Sequence, residues 1–158
     1  MLDEIKDKLN AFSLPSRPQS FGEAYSFPED VSKVSSTDLG TWMFKLAAWK
    51  GYALKMYALS EIDRAWLKGE HDSKIARRIA KGSLEGLKVT KDQALGELIL
   101  GDEEFNGVRN KLIDKDAGLD ALKQVVEIYT MQIDVVSREI SRRSLDLKTM
   151  QLGIADRE

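Results

Sequence analysis

A chain of 158 residues with 42% hydrophobic and 32% charged residues is long enough to bury one core and too apolar for wholesale disorder. Cysteine is absent and His71 is the only histidine, which argues against disulfides, thiolate catalysis, Cys/His zinc sites and histidine-assisted nucleophiles. The net charge of −2 conceals an asymmetry, because residues 41–91 hold 11 basic and 5 acidic residues and residues 92–135 hold 4 basic and 10 acidic ones. Such a chain can pair its own halves or offer a basic surface to a polyanion.

The N-terminal region predicts a short helix followed by an irregular arm. Apolar residues fall at helical spacing at Leu2, Ile5, Leu9 and Phe12. Prolines then interrupt any regular element, at Pro15, Pro18 and Pro28. The start lacks the layout of a secretory signal, and no run of 18 apolar residues occurs, so we expect a cytoplasmic protein without a membrane span. Residues 1–34 form this region and residues 35–158 the main domain; the arm is either a free terminus or docks on a partner.

The next segment predicts a helix over about 37–67. Ser35 and Asp38 resemble a capping box at its start. The apolar stripe consists of Leu39, Trp42, Leu46, Trp49, Ala53 and Met56. All three tryptophans lie on this helix, and we expect them mainly to hold the core. Glu70-His71-Asp72 is predicted to be a polar turn, after which residues 73–81 either continue the helix or form a second one.

A loop and a short helix follow. Gly82 and Gly86 predict a loop over 82–89. Thr90 with Gln93 forms a capping-box pattern that opens a short helix, and Gly101 stands where a C-cap glycine would end it.

The strongest pattern begins at Asp102, a predicted N-cap. Every seventh residue from Phe105 is apolar: Phe105, Leu112, Leu119, Val126, Ile133, Ile140 and Leu147. The companion series is Val108, Lys115, Leu122, Tyr129, Val136, Arg143 and Met150. These heptads predict a coiled-coil helix of about 48 residues. We expect it to pair with the preceding helix in an all-α antiparallel hairpin that assembles into a homo-oligomer through Leu112, Leu119, Val126, Ile133, Ile140 and Leu147. Lys115 and Arg143 either determine register or extend their charged ends to solvent.

Basic residues cluster between the two long helices. Four of them have the spacing i, i+3, i+4 and i+7, which places them on one side of a helix: Lys74, Arg77, Arg78 and Lys81. Lys88 and Lys91 follow these four residues, and Arg64 and Lys68 precede them. Phosphate binding needs such clustering, because non-specific affinity grows with each counterion released. The alternative is that this basic segment, Arg64 to Lys91, pairs with the acidic helix.

Catalytic, metal and cofactor sites have little support. Glu103-Glu104 and Asp114-Asp116 are more simply a helix start and a solvated face than catalytic carboxylate pairs. No second histidine accompanies His71 for a metal, and no phosphate-binding glycine motif occurs. We therefore predict that the protein is not an enzyme and carries no metal or cofactor.

The order of these features resembles the UvsY-type recombination mediators of T-even phages. The similarity covers about residues 35–150 and consists of a Trp/Tyr-rich helix, the basic stretch KIARRIAKG, the loop and helix KVTKDQALGEL, and a long helix with late basic residues, VVSREISRRSLDLKTMQ. The resemblance implies a ring-like oligomer that binds single-stranded DNA and helps load a RecA-like recombinase in place of single-strand-binding protein. In that family a Lys-x-Arg element carries DNA binding; its nearest counterparts here, Lys74-x-x-Arg77 and Arg64-x-x-x-Lys68, differ in spacing.

The sequence thus favours a single-stranded DNA-binding recombination mediator. The alternatives are a structural or scaffolding coiled-coil oligomer of a phage and a small-terminase-like ring that binds duplex DNA.

Overall fold

A computed structural model describes residues 5, 7, 15–18 and 26–155, with the backbone alone for residues 152–155. The described residues form three α-helices and no β-strand: α1 spans Ser36–Leu84, α2 Lys91–Gly101 and α3 Glu103–Ala155. A short 3-10 helix at Val31–Lys33 precedes them. The prediction of an all-α protein built on a long helical hairpin is confirmed. Of the predicted N-terminal helix, Ile5 and Asp7 are described and helical; the rest of it, and residues 13–14 and 19–25 of the arm, lie outside the described residues.

Helix α1 includes residues 73–81, which confirms the predicted alternative that the first helix continues through them. It begins where the Asp38 amide donates to Ser35 Oγ at 3.1 Å and the Ser35 hydroxyl donates to Asp38 Oδ2 at 2.6 Å. The predicted polar turn at Glu70-His71-Asp72 is wrong, because these residues continue the helix. A contact with α3 accounts for the continuation: the His71 ring stacks on the Phe105 ring with centroids 4.9 Å apart.

A glycine cap ends α1. Gly86 has a φ of 77°, the left-handed conformation that suits glycine. The Leu87 amide donates to the Gly82 carbonyl at 2.9 Å and the Gly86 amide to the Ser83 carbonyl at 3.1 Å, which is a Schellman motif. The loop predicted over 82–89 therefore begins later, at residue 85, because Gly82 and Ser83 supply the last helical carbonyls.

Helix α2 begins with the predicted capping box. The Gln93 amide donates to Thr90 Oγ1 at 3.3 Å, and the Thr90 amide donates to Gln93 Oε1 at 3.0 Å. The helix ends at Gly101 as predicted, although Gly101 does not adopt a left-handed conformation and Asp102 is the C-cap residue. Asp102 ends α2 in an extended conformation and begins α3, because its Oδ1 accepts the Phe105 amide at 2.8 Å.

The chain divides into two compact units, of which the first comprises residues 56–122 together with residues 5 and 7. Its core consists of Ile75 from α1, Ala94 from α2 and Phe105 from α3. Asp63 of α1 pairs with Lys115 of α3, and Lys74 of α1 pairs with Glu104 of α3. From the first pair to the second, the position moves eleven residues forward on α1 and eleven residues back on α3. The two helices are therefore antiparallel in this unit.

The second unit comprises residues 15–18, 26–55 and 123–155. Its core is formed by Leu39 and Leu46 of α1 and Val136 of α3, each at most 1% exposed. Pro15 lies against Gly51, since a Cβ atom on Gly51 would come within 3.1 Å of Pro15 Cγ. The described part of the arm is thus packed on α1 at this point.

Candidate nucleic-acid interface

The basic segment lies entirely in the first unit. Its first six cations are on α1, Lys88 is in the loop after α1, and Lys91 is the first residue of α2. The helix periodicity and the fold separate these cations into two groups, one paired and one exposed.

Three cations of the basic segment bind carboxylates of the same unit. The pairs are Arg64 with Asp116, Lys74 with Glu104 at 2.9 Å, and Arg78 with Glu97. The side chain of Lys74 is 14% exposed, and its hydrogen bond to Glu104 raises the pKa of the ammonium group. These contacts join α1 to α2 and α3, so the three cations have structural roles. The predicted alternative, in which the basic segment pairs with acidic residues of the same chain, therefore holds for these three cations.

The other five cations of the basic segment are exposed, and no carboxylate of a described residue forms an ion pair with them. They are Lys68, Arg77, Lys81, Lys88 and Lys91. Arg77 and Lys81 are four residues apart and share one side of α1. Lys68 lies nine residues before Arg77, which places it about 180° around the helix at 3.6 residues per turn. Lys68 is therefore separated from the other exposed cations of α1.

An open groove of about 590 Å³ runs along α1, and Arg77 is one of the residues that line it. Small residues at four-residue spacing form part of its wall: Ala65, Gly69 and Ser73. Its other lining residues are Trp66, Glu70, Lys74, Arg77 and Glu104. We call this the Trp66 groove.

The tryptophans differ in their surroundings. Trp42 packs against the Leu39–Leu46–Val136 core and meets the Phe27 ring edge-on with centroids 5.8 Å apart. Trp66 is instead 54% exposed, so the expectation that it would be a core residue is wrong. Leu59 and Ile62 precede it on the same side of α1, and Ser73 and Arg77 follow it there, so the change from apolar to polar residues along this side is the signal in the sequence that could have distinguished it.

The two charged residues of the companion heptad series bind within the chain. Lys115 Nζ lies 3.0 Å from Asp63 Oδ2. Arg143 donates to the carbonyls of Ser32 and Val34 at 2.9 and 2.7 Å, and to Ser36 Oγ at 3.0 Å. Arg143 thereby attaches the 3-10 helix and the start of α1 to α3.

The residues predicted to form the oligomer seam occupy different environments. Leu119 is 5% exposed, Leu112 and Val126 are half-buried, and Ile133 and Ile140 pack against the core of the second unit. Leu147 is 62% exposed. Their role in assembly stays a prediction. Helix α3 has a second apolar stripe that the heptad pattern did not predict; it is exposed in the second unit and consists of Val125, Ile128, Met131 and Val135.

Comparison with known proteins gives no significant match to any family model, curated sequence or solved structure. None of the described helices combines the length and the apolar character needed to cross a membrane. Within the same residues, no group of three or more histidine, aspartate or glutamate side chains is arranged to hold a metal ion.

Proposed function

We propose that this protein binds the phosphate backbone of single-stranded DNA and acts as a recombination mediator that helps load a RecA-like recombinase. The observation that carries the proposal is that Arg77 and Lys81 share one exposed side of α1 near its end, while Lys88 in the loop and Lys91 at the start of α2 are exposed as well. Arg64, Lys74 and Arg78 leave the predicted contact set because they bind carboxylates of the same unit.

The proposed contacts predict a measurable salt dependence. Each phosphate contact to a single strand contributes about −0.7 to the slope of log affinity against log salt concentration. Four contacts per chain therefore give a slope of about −3. A homo-oligomer that presents several such surfaces multiplies the effective affinity without any new contact.

The mediator role rests on the resemblance to UvsY-type proteins, which implies a recombinase and single-strand-binding protein as partners in the host cytoplasm. Its test is the ATPase rate of a RecA-like recombinase on single-stranded DNA already covered by single-strand-binding protein. A mediator raises this ATPase rate when it is added to the covered DNA before the recombinase. An unchanged rate with DNA binding intact would leave a DNA-binding protein without this role.

A structural or scaffolding oligomer is the second candidate. Two observations favour it: three cations of the basic segment are already paired, and α3 exposes the apolar stripe Val125, Ile128, Met131 and Val135. This candidate expects self-association that is independent of salt and no affinity for DNA.

Fluorescence anisotropy of labelled single-stranded and duplex oligonucleotides at two salt concentrations separates these functions. The test variants are Arg77→Glu and Lys81→Glu, each made singly so that it reverses one charge. We expect weaker binding to the single strand and a slope flatter by about 0.7 for each contact removed. Lys68→Glu is the matched control, because it also reverses one exposed charge but on the opposite side of α1, and it should change affinity much less.

Each other outcome has a distinct meaning. Equal effects of the test and control variants would show non-specific attraction and remove the assigned surface. A preference for duplex DNA would favour the small-terminase-like ring. Absence of binding at low salt would favour the scaffold.

A further inference from the structure

The Trp66 groove combines an exposed aromatic ring with a concave wall. Trp66 is 54% exposed, and Gly69 and Ser73 line the groove without large side chains. Apart from its chain neighbours and the helix backbone around it, no described heavy atom lies within 4 Å of the position that a Cβ on Gly69 would occupy. The volume of about 590 Å³ falls in the range of small-molecule sites. A flat group has room to lie along α1 beside the indole.

The charges of the groove disfavour an anion inside it. Two cations, Lys74 and Arg77, and two carboxylates, Glu70 and Glu104, line it. Lys74 and Glu104 also neutralise one another across a distance of 2.9 Å. An uncharged flat group is favoured within the groove, and a phosphate is favoured outside it near Arg77 and Lys81.

We propose that the Trp66 groove receives one unpaired nucleobase, stacked on the indole ring, while a phosphate of the same strand binds Arg77. This inference rests on the proposed function and adds a site for the base to the surface that binds the backbone. Stacking on an aromatic side chain is tolerant of sequence because every base has a flat π-face.

The groove thereby provides a reason for the protein to prefer single strands. A base within a duplex is stacked and paired, and removing it costs a few kcal/mol. Single-stranded DNA meets a much smaller penalty. The phosphate contacts alone make no such distinction, because both kinds of DNA present phosphates.

Tryptophan fluorescence of the full-length protein tests the site, with oligo(dT) and an abasic deoxyribose-phosphate oligomer of equal length as probes. We expect oligo(dT) to quench part of the emission and the abasic oligomer to bind without quenching. Trp66→Phe should abolish this quenching and keep most of the affinity, because phenylalanine still stacks. Trp66→Ala should weaken oligo(dT) binding about fivefold or more and leave binding of the abasic oligomer unchanged.

Circular dichroism of both variants controls for folding, and the 54% exposure of Trp66 predicts native helix content. Quenching that persists in Trp66→Phe, or unchanged oligo(dT) affinity in Trp66→Ala, would overturn the nucleobase site and leave the proposed function standing. Absence of binding to either oligomer would overturn both. A different result, in the absence of DNA, is a shielding of Trp66 from acrylamide that increases with protein concentration. That result would assign the groove to a second copy of the chain and overturn the inference.

Discussion

Replacing Gly82 with alanine tests the packing at the end of α1. A Cβ atom at this position would lie 2.2 Å from Val89 Cγ2 and 3.1 Å from Val89 Cβ. Real Cβ atoms do not approach other heavy atoms so closely, and the branched valine side chain has few rotamers into which it can move. Val89 also packs against the core of the first unit. The added methyl group must therefore displace the loop or disturb that core.

Two opposing effects determine how much Gly82→Ala changes the free energy of unfolding. Alanine is favoured over glycine in a helix interior by about 0.5–1 kcal/mol. Overpacking a well-packed site costs about 1–3 kcal/mol. We expect the packing term to dominate, because the valine contact is far inside van der Waals distance. The free energy of unfolding should fall by about 1–2 kcal/mol.

Urea denaturation followed by circular dichroism measures the change, with Gly107→Ala as the control. Gly107 is an exposed residue of α3, and apart from its chain neighbours and the helix backbone around it, no described heavy atom lies within 4 Å of the position that a Cβ on it would occupy. The same substitution there should stabilise the protein by about 0.5–1 kcal/mol. The double variant Gly82→Ala/Val89→Ala removes the clashing methyl group and should show a favourable coupling energy of about 1 kcal/mol or more. Stabilisation by Gly82→Ala equal to that of Gly107→Ala would refute the predicted clash.

Two further predictions concern the arginine and glutamate side chains of α3 near the start of α1. Arg143→Met removes the hydrogen bonds to the Ser32 and Val34 carbonyls, so the free energy of unfolding should fall by about 1.5–3 kcal/mol in urea denaturation; Arg142→Met, at a more exposed position, should have a far smaller effect. Hydrogen bonds from Arg142 and Arg143 lower the pKa of Glu139 from 4.5 to about 2, so its contribution to stability is present above pH 4.5 and is lost as the pH falls towards 2. The urea midpoint should fall over this range, and Glu139→Gln should flatten that acid dependence; an unchanged pH profile in the variant would contradict the assignment.

Local patterns in the sequence predicted those features that depend on nearby residues. Thr90 and Gln93 form the predicted capping box, because both hydrogen bonds join groups only three residues apart. The heptad series placed Phe105 and Leu119 on the buried side of α3. Helical periodicity alone determines which residues share a side of a helix.

Contacts between distant segments decided the rest. Glu70-His71-Asp72 resembles a turn in isolation, and His71 continues α1 in the fold, where it stacks on Phe105 of α3. The four cations at Lys74, Arg77, Arg78 and Lys81 form one stripe in the sequence, but two of them meet carboxylates of α2 and α3 and two remain exposed.

The sequence by itself determined the helical class, the helix N-caps and the apolar side of α3, because these follow from the spacing of residues along one chain segment. Only the tertiary structure decided that Trp66 is exposed and which cations are free of carboxylate partners among the described residues. Exposure and pairing depend on what a neighbouring helix brings to the same place, and α2 and α3 cover one side of α1 while leaving the side with Trp66, Arg77 and Lys81 open to solvent.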